Sequence, residues 1–240
     1  MKIALIAGSS GVIGGACALA LASEGYALAL QYHLNEQAAR DLLHRLPEGT
    51  PAFIFPADIT KKEEVEALFA ATRQRLGYID VLINAAGTAL PQMTLDAVTV
   101  EEMDHIYALN VRGAMLLSQA AIPHLIKKEG CMVHISSLWG IVGGACESVY
   151  SASKGAVNAF IKALAKELAP SRIRVNGVAP GLVPSPMNGH LTEEDLSAFA
   201  AATPLGSLVT AEQVAEAVCY LTNASMVTGQ ILSVDGGIVI

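Results

Sequence analysis

The chain has 240 residues, 52% of them hydrophobic and 15% charged, with a formal charge of −7. That length and hydropathy allow a large buried core, whereas the acid surplus excludes nucleic acid as the main partner, because phosphate binding needs an excess of Lys and Arg. Aromatic residues make up only 5%, and the wealth of alanine, glycine and valine suits helices packed closely on a sheet.

In chain order, an apolar run at 3–6 predicts a strand, followed by the stretch AGSSGVIGG (7–15) and a helical pattern over 14–24. A second strand is expected at 27–31, then a helix over 36–46 in which Ala39, Leu42, Leu43 and Leu46 form one apolar stripe. A third strand at 52–55 precedes Thr60, which with Glu63 and Glu64 behind it looks like the N-cap of a helix over 61–76. Further strands at 81–83, 132–135, 173–178 and 231–234 alternate with helical patterns at 100–126, 151–168 and 211–221. The least regular piece, 180–204, holds four prolines, two glycines and a short helical pattern near 192–202, and is expected to be a substrate flap. This alternation implies right-handed crossovers and a doubly wound parallel sheet of about seven strands, with helices on both faces, in one α/β domain spanning 1–240.

Cys17, Cys131, Cys146 and Cys219 lie far apart in apolar segments without a C-x-x-C pair, and read as buried free thiols in a reducing compartment. Lys2 and the Ala20-Leu21-Ala22-Ser23 run loosely imitate a signal peptide, but Gly8-Ser9-Ser10-Gly11 breaks the apolar stretch, so a cytoplasmic protein is expected. No uncharged apolar run approaches the ~18 residues of a membrane span. None of the histidines falls into H-E-x-x-H, no G-x-S-x-G elbow or P-loop is present, and no metal is expected.

A strand, a glycine turn and a helix N-terminus make an anion site, because backbone N–H groups point outward and missing side chains let a pyrophosphate approach. Gly8, Gly11 and Gly14 supply that turn, with Ser9, Ser10, Val12 and Ile13 between them. After the second strand, where a carboxylate would grip the ribose 2′-hydroxyl of NAD, the chain reads Gln31-Tyr32-His33-Leu34-Asn35. The missing carboxylate favours NADP(H) without excluding NAD(H), and Tyr32, His33 and Asn35 are the candidate contacts. Downstream, Tyr150 and Lys154 stand one helical turn apart in YSASKGAVNAF. An ammonium beside a phenol, whose reference pKa is about 10, stabilises phenolate and suits the tyrosine to donate a proton to a carbonyl oxygen. The stretch HISSLWG brings Ser136 and Ser137 to the carboxyl end of a strand, where doubly wound sheets bind ligands.

In these motifs and their order the chain resembles the short-chain dehydrogenase/reductases over its whole length, which implies a Rossmann-type fold. The resemblance implies that Tyr150 is the general acid, that Lys154 binds the nicotinamide ribose, that Ser137 holds the substrate oxygen and that Asn110 keeps a water in a proton relay. It implies cofactor contacts from the Gly8–Gly14 turn, from Asp58 and Ile59, and from Asn84, Ala85, Ala86 and Gly87. Pro180, Gly181, Val183 and Ser185 complete them, Ser185 standing where the family often has a threonine facing the carboxamide. Two departures stand out: relatives usually carry the middle glycine at the position of Val12, and the basic residue that NADP-preferring relatives place just before it is missing.

Length and the closing Asp235-Gly236-Gly237 resemble the 3-oxoacyl-acyl-carrier-protein reductases, which implies an acidic carrier partner docking on a basic patch; Lys127, Lys128, Arg172 and Arg174 are candidates. The stretch from Ser136 to Ala156 resembles reductases of 5-aminopentanone on elongation factor P. There Trp139 and Glu147, between the catalytic serine and tyrosine, offer an aromatic face and a carboxylate to an ammonium group, although a packing tryptophan and a helix-start acid would look the same. The family also implies a homotetramer, and a non-catalytic dinucleotide-binding regulator is the remaining alternative.

Overall fold

The computed structural model of the chain describes every residue except His190, which falls within the segment expected as a flap. Seven strands, β1 (Ile3–Ala7), β2 (Ala27–Tyr32), β3 (Ala52–Pro56), β4 (Val81–Asn84), β5 (Cys131–Ile135), β6 (Arg174–Pro180) and β7 (Ile231–Val234), pair in parallel in the order β3-β2-β1-β4-β5-β6-β7. The doubly wound α/β architecture predicted from the sequence is therefore the one observed, with strand ends within two residues of their expected positions.

The strands are apolar on both sides because both sides are covered. On one side Leu5, Leu82 and Met132 meet α3 (Lys62–Arg75), α5 (Ala114–Ile126) and α7 (Ser148–Leu168) through Leu68, Leu117 and Ile161. On the other, Ile6, Leu30 and Ile83 meet α1 (Val12–Ser23), α2 (Glu36–Arg45) and α9 (Ala211–Asn223) through Leu21, Leu42 and Val218. The small residues Cys17, Ala18 and Ala22 of α1 pack closely against Val214 and Ala215 of α9. No described helix is long and apolar enough to cross a membrane.

Three sequence expectations are corrected. The helix expected over 100–126 is interrupted: α4 (Val100–Ile106) runs into a π-helical turn, Tyr107–Gly113, before α5. Buried Asn110 lies in that wider turn, and its carboxamide pairs with Thr88 and Ser153 instead of facing solvent. Thr60 does not cap α3, which starts at Lys62; its N–H and hydroxyl both donate to Asp58 Oδ1, at 2.9 and 2.7 Å. Of the four cysteines only Cys17 and Cys131 are buried, because Cys146 sits in an exposed loop with a φ of 61° and Cys219 is on the partly exposed side of α9.

All seven strands point the same way, so the segments that leave them collect along one carboxyl edge. Between β1 and β4 the sheet order reverses, and the loops there part to open a crevice. Within the framework under it, Leu82 on β4 is fully buried, and Leu82→Ala is expected to lower the unfolding free energy by about 2–5 kcal/mol in urea titrations.

Candidate active site

The glycine turn is built by close backbone contact. Gly8 has a φ of 74°, and a Cβ placed on it would stand 2.7 Å from the Ala86 nitrogen in the loop after β4. Gly14 packs its Cα against the Gly8 carbonyl so tightly that a side chain there would collide with it. Gly11, with ordinary extended backbone, is the N-cap of α1 and donates its N–H to Gly8 O at 3.0 Å. Val12, the first residue of that helix, is 42% exposed and turns onto the cavity wall. The valine thus fits because the positions that forbid a side chain are 8 and 14, while position 12 faces open space.

Gln31, which sequence reasoning did not single out, fixes this turn. Buried at the end of β2, its Oε1 accepts from the Gly8 N–H at 2.8 Å and its Nε2 donates to Ala57 O at 2.6 Å, tying the ends of β1, β2 and β3 together. The Ser9 hydroxyl and N–H both donate to Gln31 O, each at 2.9 Å.

A cavity of about 720 Å³ runs along the carboxyl edge. Its walls hold Gly8, Ser10, Gly11, Val12, Ile13 and Gly14 on one side, His33, Asn35, Asp58 and Ile59 at one end, and Ala85, Ala86 and Gly87 below. Ser137, Tyr150 and Lys154 line the other end with Pro180, Gly181, Val183 and Ser185. Three residues expected as contacts, and Asn110, expected to keep a relay water, are not on the wall. Ser9 is turned in toward Gln31, and Tyr32 is buried because alternation along the strand carries it away from the face of His33. Asn84 points into the sheet, where it accepts from the Ala86 N–H at 3.2 Å, and Asn110 is held behind the wall. Asn35 caps α2, accepting from the Ala38 N–H at 3.0 Å. Burial pushes the Asp58 carboxyl up, but the two Thr60 hydrogen bonds and the charges of His33 and Lys61 outweigh it and hold the group below its ordinary value. A glycine turn without side chains, beside a long trough floored by Ala85–Gly87, fits a dinucleotide.

At the other end α7 presents Tyr150 and Lys154 on one face. Lys154 is 5% exposed and donates to Ile135 O at 2.9 Å; its ammonium stands 5.7 Å from the Tyr150 ring centroid. Burial pulls this ammonium down to about 8. Burial likewise pushes the Tyr150 phenol up to about 12, against a hydrogen bond with Ser137 that lowers it and with the Glu147 carboxylate raising it further. Dehydration is the largest influence on the phenol, and the Lys154 ammonium beside it donates to the Ile135 carbonyl. The Ser137 hydroxyl also accepts from the Trp139 N–H at 3.2 Å. Its segment, including the short helix α6 (Trp139–Val142), is anchored by Asn158, another residue sequence reasoning missed. Asn158 accepts from the Ser136 hydroxyl at 2.6 Å and donates to Gly140 O at 2.9 Å. Both residues belong to stretches quoted for Ser137 and Lys154, but nothing in one-dimensional spacing says that they meet.

Trp139 and Glu147 are both on the wall. The Trp139 ring meets Phe199 of α8 (Glu193–Ala202) edge-on, with centroids 6.4 Å apart, and Gly144 leaves room beneath it. Helix α8 lies in the segment expected as a flap; its Asp195 joins the same wall, and the Thr192 capping box fixes its start.

The basic patch is elsewhere. Lys127, Lys128 and Arg172 stand at the amino edge of the sheet, separated from the cavity by strands of roughly 15 Å, and Arg174 is spent on Leu221 O and Thr222 O at 2.6 and 2.7 Å. Lys128 and Arg172 face Asp80 and Glu129 at 3.9 and 3.5 Å. Within one chain this patch cannot touch a molecule that lies in the cavity.

Residues 6–239 match the family profile described as enoyl-(acyl carrier protein) reductase, and the chain belongs to the short-chain dehydrogenase/reductase family. It is 39% identical over 242 residues, 98% of each chain, to the uncharacterized oxidoreductase YmfI of Bacillus subtilis. It is 35% identical over 248 residues to the 3-oxoacyl-[acyl-carrier-protein] reductase FabG of Thermotoga maritima, covering 100% of this chain and 98% of that one. The crystal structure of a 3-ketoacyl-(acyl-carrier-protein) reductase from Brucella melitensis complexed with NADH is similar with a TM-score of 0.93 at 30% identity, covering 100% of this chain and 98% of that one. The chain is therefore an oxidoreductase fold with a nicotinamide-dinucleotide family behind it.

The packing of the turn sets a graded expectation. Gly14→Ala, which drives a methyl into the Gly8 carbonyl, should cost about 1–3 kcal/mol by chemical denaturation, whereas Gly11→Ala, whose Cβ would sit 3.3 Å from the same oxygen, should cost less.

Proposed function

We propose that the chain is an NAD(P)H-dependent carbonyl reductase, with NADPH preferred. The observation that carries this reading is the grouping of Ser137, Tyr150 and Lys154 at one end of a trough that the glycine turn borders. A reduced nicotinamide dinucleotide bound along the trough would supply a hydride to a ketone carbon. Tyr150, pushed up to about 12, holds its proton at neutral pH and is in the form that can give it to the carbonyl oxygen as negative charge develops there. Ser137 donates a hydrogen bond to that oxygen, and the buried Lys154 ammonium stabilises the phenolate left behind. Asn110 uses both amide hydrogens on Thr88 O and Ser153 Oγ, at 2.9 and 3.1 Å. Its proposed part is to keep a water in the proton relay, as the family resemblance implies. NADPH is favoured because the stretch from Leu30 to Asn35 carries no carboxylate to repel a 2′-phosphate.

For the substrate, we infer a 3-oxoacyl thioester on a carrier protein, a reading supported by the names of the relatives. A second reading, a ketone that carries an amine on elongation factor P, is favoured by the wall itself, where Trp139 and Phe199 stand with Glu147 and Asp195. Aromatic faces and carboxylates attract an ammonium group. The assembly proposed is a homotetramer in the cytoplasm, tested by light scattering at micromolar concentration, where a monomer would contradict it.

NADPH oxidation with acetoacetyl-acyl-carrier protein and with aminopentanone-modified elongation factor P separates the substrates. Turnover of the carrier substrate that is indifferent to Glu147→Gln establishes the first reading; selective turnover of the modified factor, with KM raised about tenfold in the variant, establishes the second. In either case Tyr150→Phe should lower kcat by roughly 100-fold or more with nucleotide affinity nearly unchanged in a fluorescence titration, and full turnover would contradict the role given to the phenol.

A further inference from the structure

His134 lies in the middle of the apolar strand β5 and is fully buried. An imidazole placed there is costly unless both ring nitrogens are satisfied, and none of the chemistry above uses it. Its cross-strand partner in the β4–β5 register is Asn84. The orientation of the Asn84 carboxamide is fixed, because its Oδ1 accepts from the Ala86 N–H. Its Nδ2 therefore faces His134 Nδ1, at 3.3 Å, and an amide nitrogen can only donate. Nδ1 must then be a bare acceptor, and the ring proton resides on Nε2. That N–H points at the Ser118 hydroxyl, 3.3 Å away, whose own hydrogen goes to Ala114 O at 2.8 Å. The chain of donors runs in one direction, from Asn84 through His134 and Ser118 to the backbone of α5, and every member is satisfied. Phe160 closes the pocket with its ring edge-on at 6.0 Å.

The loop at the head of this chain matters to both ends of the cavity. Ala85 and Ala86 touch Gly8 so closely that no side chain fits between, and Gly87 lies beside Asn110 and Lys154, to which a Cβ would come within 3.2 and 3.3 Å. We propose that His134, as a neutral imidazole protonated on Nε2, is the positioning residue that holds the loop from Asn84 to Gly87 in register with the glycine turn, and so sets nucleotide affinity. Burial, with the charge of Lys154, the one charged group among the described residues that bears on it, lowers His134 to about 4, which keeps the acceptor on Nδ1 bare at neutral pH. Nothing in this role requires contact with substrate or cofactor, because the imidazole acts through Asn84.

The inference rests on the trough being a dinucleotide site, and the test separates the two. An asparagine at 134 puts its carboxamide where Nδ1 stands, and a glutamine puts it where Nε2 stands. In fluorescence titrations of the full-length protein with NADPH and NADH, His134→Asn should keep Kd within about threefold of wild type and His134→Gln should weaken it roughly tenfold, with kcat at saturating nucleotide altered little in both. Ser118→Ala strips the buried Nε2–H of its acceptor but leaves the Asn84 contact in place, so it should be less stable than wild type in urea yet bind both nucleotides within about threefold of it. In the 15N-labelled protein the ring signals lost in His134→Asn should belong to an imidazole protonated on Nε2. Equal affinities for the two His134 variants, a tighter glutamine variant, or a proton on Nδ1 would overturn the proposal while leaving the dinucleotide site standing. Wild-type protein that binds neither nucleotide would overturn the site and the proposal together. If neither His134 variant folds, the protonation state of the wild-type ring, its signals assigned by through-bond correlation to the His134 backbone, decides: a proton on Nε2 supports the proposal and one on Nδ1 overturns it.

Discussion

The constraint on which the rest depends is the approach of two backbones, Gly8 against Ala85 and Ala86, at the point where the sheet order turns back. Strands β1 and β4 are neighbours whose following helices cover opposite faces, so their loops diverge and leave a crevice. The crevice is narrow at its base because Gly8 has no side chain, and it is open above because Gly11 and Gly14 let α1 begin immediately. Every contact a dinucleotide would make along this edge is measured from that junction.

Many of the buried polar groups lie at this junction and along the same edge. Gln31 joins three strand ends, Asn158 fixes the serine segment to α7, Lys154 leans on Ile135, and the Asn84–His134 pair holds the loop between them. Low local dielectric makes such groups costly when unpaired and rigid when paired. The same dehydration moves Tyr150 and Lys154 in opposite directions, toward neutral phenol and toward neutral amine. Burial is the largest cause of both shifts, at the end of the trough where the carbonyl is proposed to react.

Much of this was legible in the sequence. Parallel strands buried on both faces must be apolar throughout, and that requirement is local enough to read from runs such as Ile3–Ala7. Tyr150, Lys154, Ser137 and the glycine turn were legible because their spacing carries their geometry. Gln31, Asn158 and His134 were not, because each acts by reaching a backbone or side chain tens of residues away, and no spacing encodes such a partner. The basic residues show the opposite limit: their charge is visible in the sequence, but which edge of the sheet they occupy follows only from strand direction. Thr60 shows the same limit at short range, since its hydroxyl could have accepted from a helix N–H and instead donates to Asp58.

The π-helical turn between α4 and α5 has a consequence for how this segment can vary. A turn of that kind contains one residue more than a regular helix would need, and each residue of an α-helix rotates the next by about 100°. Side chains on the outer face of 100–126 are free to change, but a single-residue deletion between Tyr107 and Gly113 would straighten the turn and rotate Asn110 away from Thr88 and Ser153 relative to everything before it. In this stretch it is the residue count, more than the residue types, that keeps the carboxamide in place.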